Sequence, residues 1–237
     1  METNIIYNED CFVGVKRIED KSVDLVITDP PYEFKQGGFG GGQKDFSNRS
    51  FKKELDKNEL LNQDFDVARL MKEIERVCKK VNAVIFCNDC MLPKLLSYIT
   101  EKGYVYSINI WHKTNPIPYT NQTYLSDVEY CVHFRERGTV MYGDYHSLSK
   151  VYTSSVNKKD KEKYGHTTIK PLELVKKYLI NHSKENDIVL DMYMGSGTTA
   201  VACRDMNRQF IGFEIDEKYY NVCLQRLEEK ENQLELF

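Results

Sequence analysis

The chain has 237 residues, 41% hydrophobic, 12% aromatic and 29% charged, a balance that excludes intrinsic disorder and a membrane bundle and suits one folded domain. A formal net charge of −3 speaks against a dominating basic field, though it leaves room for a local basic groove. No apolar run approaches the roughly 20 residues that cross a bilayer, and the first ten residues have neither the basic start nor the apolar stretch of a secretory signal, so a cytoplasmic chain with no membrane partner is expected.

Short β-branched or aromatic runs alternate with amphipathic stretches, the signature of an α/β fold with a mostly parallel sheet and helices on both faces. Strands are predicted over 4–7, 23–28, 83–87, 105–111, 129–134, 187–191 and 210–213. Apolar residues fall at helical spacing at Val67, Leu70, Met71, Ile74, Val77, Cys78 and Val81, and helices are read similarly over 171–182, 198–206 and 216–231. Two segments break the rhythm. One, 36–57, opens on Gly37-Gly38-Phe39-Gly40-Gly41-Gly42; the other, 135–170, is rich in Tyr, Ser and Lys. Interruptions of that length inside a compact domain are functional or disordered. A single domain over 1–237 is therefore expected to carry a flexible loop at about 36–57 and a small insertion at about 135–165. Five lysines against one Asp and one Glu give 158–170 a local excess of +3. The seven cysteines lie mostly in apolar patterns and read as reduced core thiols. The pair Cys87 and Cys90 lacks a second pair, and the histidines show no ligand spacing, so no metal is assigned.

The first motif that carries chemistry is Asp29-Pro30-Pro31-Tyr32, where a buried-type strand stops at an acid followed by two prolines. Proline removes backbone donors and fixes φ. Asp29 and the Pro30 carbonyl then form two acceptors, matched to the two N–H donors of an exocyclic amine such as the N6 of adenine. Tyr32 adds a π-face on which an unpaired base can stack.

The second is the run Asp187 to Ala200, a strand ending at Asp191, a turn with Gly195 and Gly197, and a helix starting at Thr198. Such a turn lets a ligand approach the backbone. Glu214, at the end of the next strand, is placed to accept both hydroxyls of a ribose, which suits an adenosine-containing cofactor. Ala200 stands where a dinucleotide fingerprint has its third glycine, so a nicotinamide oxidoreductase remains an alternative.

At these two motifs the chain resembles the S-adenosylmethionine-dependent amino-methylating DNA methyltransferases, over most of its length. The order of motifs, with Asp-Pro-Pro-Tyr first and the glycine turn last, is that of the β-group permutation of a Rossmann-like methyltransferase fold. Asn8-Glu9-Asp10-Cys11, the run from Ile110 to Pro116 and the run from His166 to Leu174 also match. The family commonly has proline and phenylalanine where this chain has Met192 and Tyr193. The resemblance implies that Asp10 contacts the cofactor's adenine ring and that Lys170 and Pro171 begin a helix beside its methionine end. It also implies a catalytic set of Asp29, Pro30, Pro31 and Tyr32, and a cofactor set of Asp10, Lys170, Asp191, Gly195, Gly197, Thr198 and Glu214. Covalent cytosine C5 chemistry is disfavoured, because no Pro-Cys dipeptide occurs. The expected activity is site-specific methylation of adenine N6 in double-stranded DNA. Cytosine N4 methylation, where the family more often has serine in place of Asp29, is the nearer alternative; a catalytically silent cofactor-binding regulator is more distant. A homodimer is left open, as is a restriction partner.

Overall fold

Residues 2–32, 66–116, 124–165 and 169–234 are described by the structure, a computed structural model. The loop expected at 36–57, with its glycine cluster, and residues 166–168 lie outside them. Strands form where β-branched and aromatic residues crowd the sequence: β1 (Ile5–Tyr7), β2 (Leu25–Thr28), β3 (Asn82–Cys87), β4 (Val105–Lys113), β5 (Val128–Arg135), β6 (Val151–Ser154), β7 (Ile188–Asp191) and β8 (Gln209–Phe213). They join in one sheet in the order β1-β8-β7-β2-β3-β5-β4-β6. Strand β5 is antiparallel to β3 and β4; the other pairs are parallel.

Every residue of β2 and β3 is buried, as strands covered on both faces must be. Alternate side chains serve opposite layers. Val26, Ala83, Ile85 and Cys87 pack with α1 (Cys11–Gly14), α2 (Val67–Val77) and α3 (Leu92–Glu101). Leu25, Ile27, Val84 and Phe86 pack with α5 (Leu172–His182), α6 (Thr198–Asp205) and α7 (Glu217–Leu234). The α/β fold with helices on both faces is thus observed. All seven cysteines are unpaired thiols, six of them buried. Among the described residues no helix is long and apolar enough to cross a membrane.

The seven predicted strands are all present, with ends displaced by one or two residues. Val23 makes only an isolated bridge to Cys78, so β2 starts at Leu25. Five elements escaped the pattern, among them the short α1 and the 3-10 turn Val15–Arg17 that follows it. Helix α3 buries only Leu95 and Ile99, too few to set a period. Edge strand β6 has no buried residue, and α4 (Lys158–Tyr164) has none either; both fall in the expected insertion, where no hydrophobic periodicity exists to read.

From the seam between β7 and β2 the chain winds outward in opposite directions, to β8 and β1 on one side and to β3 on the other. In open α/β sheets, ligands bind outside the carboxyl ends of the strands at such a switch point. Thr28 Oγ1 closes the seam by donating to Asp191 Oδ1 across 3.0 Å. Because β5 is reversed, its first residues reach this same edge, opposite the end of β4.

Candidate active site

Asp29 leaves β2 at the seam, and its Oδ2 lies 2.6 Å from Lys170 Nζ. The same ammonium is 2.7 Å from Glu129 Oε1 and 3.2 Å from the Tyr32 hydroxyl. Tyr32 in turn donates to Glu129 Oε1 across 2.7 Å. Glu129 Oε2 meets Lys113 Nζ at 2.9 Å. Two carboxylates and two ammonium groups therefore balance in a cluster where Lys170 and Glu129 are buried.

Burial pushes the Asp29 carboxyl up, the Lys170 cation pulls it back, and the neighbouring Glu129 charge pushes it up again, leaving it above the ordinary carboxylate range. Glu129 is also penalised by burial, yet Lys170 and Lys113 together hold it well below that range. Burial would lower Lys170, but its two carboxylate partners raise it, so it stays charged. Asp29 Oδ1 is buried and, among the described residues, has no hydrogen-bond partner. An unpaired buried acceptor carries a desolvation penalty, and a donor-bearing ligand would relieve it. Lys170 Nζ also sits 5.2 Å from the ring centres of both Tyr32 and Phe86. Pro30 is buried and Pro31 exposed.

Along the same edge, Asp191 ends β7 with both oxygens occupied. Oδ1 accepts from Thr28 and from the Tyr193 N–H at 3.0 Å, and Oδ2 accepts from the Thr199 hydroxyl at 2.6 Å. This ties the strand end to the first turn of α6. Glu214 Oε2 accepts the Gly195 N–H at 2.7 Å and Oε1 accepts the Asp216 N–H at 2.8 Å. Burial pushes Asp191 up to about 6 and Glu214 up to about 7, against the lowering effect of these bonds. Gly197 has φ +78°, and a Cβ there would come within 3.1 Å of the Cys223 backbone, so the turn needs glycine on two counts. Asp10 caps α1, its Oδ1 accepting from the N–H groups of Phe12 and Val13. It lies near Glu214 because β1 pairs with β8 and the Glu214 N–H bonds to the Tyr7 carbonyl.

The structure therefore gathers the expected residues along one sheet edge in two groups. Asp10, Asp191, Gly195, Gly197, Thr198 and Glu214 surround the glycine turn. Asp29, Pro30 and Tyr32 stand beside it, and Lys170 joins this second group through its ion pair with Asp29. Sequence reasoning missed Glu129 and Lys113. Their signal was a charged residue at each adjoining end of two apolar strands, where a charge is buried only if paired. It also missed Arg226, whose Nη1 donates to the Ser196 carbonyl at 2.6 Å, to Ser196 Oγ at 3.0 Å and to Thr198 Oγ1 at 3.1 Å. The positive surface of 158–170 is smaller than its sequence suggests, since Lys163 pairs with Glu229 and Lys170 with Asp29.

A family model described as DNA methylase matches residues 23–225. The Type II methyltransferase M2.LlaDCHI of Lactococcus lactis subsp. cremoris is 27% identical over 95% of this chain and 90% of its own length. M.HinfI of Haemophilus influenzae is 29% identical over 95% of this chain and 68% of its own. Among solved structures, the M1.HpyAVI complex with SAM superposes with a TM-score of 0.68 at 26% identity, covering 93% of this chain and 98% of that one. The cytosine-N4-specific PvuII methyltransferase shares the fold, with a TM-score of 0.71 at 15% identity over 94% of this chain and 86% of that one.

Proposed function

The chain belongs to the N6-adenine/N4-cytosine family of DNA methylases, and on that footing we propose that it methylates adenine N6 within a short site in double-stranded DNA, using S-adenosylmethionine. The observation that carries the adenine reading is Asp29, a carboxylate paired to Lys170 through one oxygen while the other, Oδ1, is buried without a partner among the described residues. Oδ1 and the Pro30 carbonyl can accept both hydrogens of an amine. That grip favours a tetrahedral nitrogen and frees its lone pair for in-line attack. Lys170 pulls the raised Asp29 carboxyl back toward its accepting, ionised form. Tyr32 offers its ring to a base that has left the duplex stack. No nucleophile on the protein is required, so rate enhancement rests on positioning and electrostatics.

The glycine turn fits the cofactor. Gly197 holds the turn at positive φ and packed close against Cys223 of α7, Thr198 opens α6, and Glu214 sits at the neighbouring strand end as an acceptor for ribose hydroxyls. Asp10 would face the adenine ring, while Asp191 holds the turn through Thr199 and Tyr193. Bound S-adenosylmethionine supplies a methyl group activated by its sulfonium. We assign target reading to the 135–165 segment, whose strand β6 extends the sheet edge beside β4.

The test is incubation with mixed-sequence DNA and methyl-labelled cofactor, followed by nucleoside mass spectrometry. Labelled N6-methyladenine is the expected product, and Asp29→Ala should form none while still binding cofactor. Labelled N4-methylcytosine alone would replace the adenine reading with the cytosine one.

A further inference from the structure

We infer that Arg226 is a positioning residue for the anionic end of the cofactor, acting through the hydroxyls of Ser196 and Thr198. The inference rests on the cofactor reading above and extends it to a residue outside the motifs. Arg226 projects from α7 and is only 7% exposed. On its own helix Cys223 and Leu227 belong to the apolar layer. The Tyr164 ring covers the guanidinium, 5.2 Å from its carbon to the ring centre. Tyr164 is fixed in turn by Glu229, which accepts from its hydroxyl and pairs with Lys163, each at 2.6 Å. Among the described residues no carboxylate forms an ion pair with Arg226; Asp160 and Glu229 act on its charge from farther away. A guanidinium buried this deeply is ordinarily paired with an anion. Here it spends its Nη1 on the turn between Gly195 and α6.

Proton counting then gives those hydroxyls a direction. Each has one O–H and two lone pairs, whereas guanidinium only donates. Ser196 Oγ and Thr198 Oγ1 both accept from Arg226, so each O–H proton is left to donate to another group. Thr198 is also the first residue of α6, where the leading backbone N–H groups lack intrahelical acceptors and the helix dipole is positive. A buried cation, two oriented hydroxyl donors and a helix start converge on one turn. That chemistry selects a carboxylate, and S-adenosylmethionine carries a single one, on its methionine portion.

The test compares two nucleosides that differ in that portion. S-adenosylhomocysteine has the carboxylate; 5′-methylthioadenosine keeps the adenosine and thioether without it. Calorimetric titration of the full chain should show Arg226→Met weakening S-adenosylhomocysteine about tenfold, the scale of one charge-assisted hydrogen bond, and changing methylthioadenosine by less than about twofold. Arg226→Lys should recover part of the loss. If Arg226→Met fails to fold, Thr198→Val carries the same comparison, with the same selective loss expected. Equal weakening of both ligands would make Arg226 a purely structural residue and overturn the inference. Unchanged affinity for both would overturn it as well. Failure of the wild-type chain to bind either nucleoside would sink the cofactor reading itself, and this inference with it.

Discussion

The Tyr32 hydroxyl donates to Glu129 Oε1 across 2.7 Å, joining the exit of β2 to the start of β5 over a sequence separation of 97 residues. The ring proposed to receive the target base is thus held by a carboxylate that itself carries two ammonium groups, so its orientation depends on charges well beyond the Asp-Pro-Pro-Tyr string.

Substitution at Tyr32 should separate the ring from its anchor. Tyr32→Phe keeps the stacking face and loses the bond to Glu129, lowering kcat by a factor equivalent to about 1 kcal/mol. Tyr32→Ala loses the face too, a further 1–3 kcal/mol or so. Steady-state turnover on a methylatable duplex checks the order, wild type above Phe above Ala. Equal rates for all three would return Tyr32 to a structural role.

Glu129→Ala leaves the Lys170 and Lys113 ammonium groups beside a single remaining carboxylate, Asp29, which touches only Lys170. Removing one member of a buried ion cluster destabilises by about 3–5 kcal/mol, to be read from urea unfolding. Glu129→Gln retains an acceptor for Tyr32 and should lose less. It also removes one of the charges that push Asp29 up, so the acidic limb of the pH–rate profile should move to lower pH. A loss in Glu129→Ala no larger than that of a surface change would contradict the cluster's importance.

Cofactor affinity should depend on pH through Glu214. Burial raises this carboxyl from its ordinary 4.5 to about 7, so below that pH the free protein holds it largely protonated. Ribose hydroxyls donate best to the carboxylate, and binding below pH 7 must therefore release a proton. Affinity for S-adenosylhomocysteine should tighten as pH rises from 6 to 8 and level off above about 7. The folded free protein shows the opposite trend from this group: its stabilising contribution is full below 4.5 and lost as pH rises through about 7. A binding constant flat across this range would argue against Glu214 as the ribose acceptor.

Both motif strings were legible because their chemistry is local: an acid, two prolines and a ring at 29–32, and a glycine turn opening a helix at 195–198. The alternating apolar runs likewise sufficed for the central strands, each buried on both faces. Glu129 and Lys113 were not legible as a pair, because their meeting depends on β5 running against its neighbours, a matter of topology that no window of sequence contains. Lys170 stood out as part of a matching run, yet its ion pair with Asp29 crosses most of the chain. Arg226 was hidden for another reason. In an amphipathic helix a single arginine reads as solvent-facing, and only packing shows it turned toward Ser196.

The hydrogen bond from Thr28 to Asp191 spans 163 residues, which has a bearing on synthesis. While a ribosome extends the chain at about 5–20 residues per second, β2 must wait on the order of ten seconds or more for β7 to emerge and pair with it. Throughout that interval β2, paired only to β3, presents an unpaired, apolar strand edge of the kind that invites intermolecular pairing. Long-range parallel pairing of this kind is slow to nucleate, and variants that delay the last quarter of the chain should aggregate during translation even where the finished fold tolerates them.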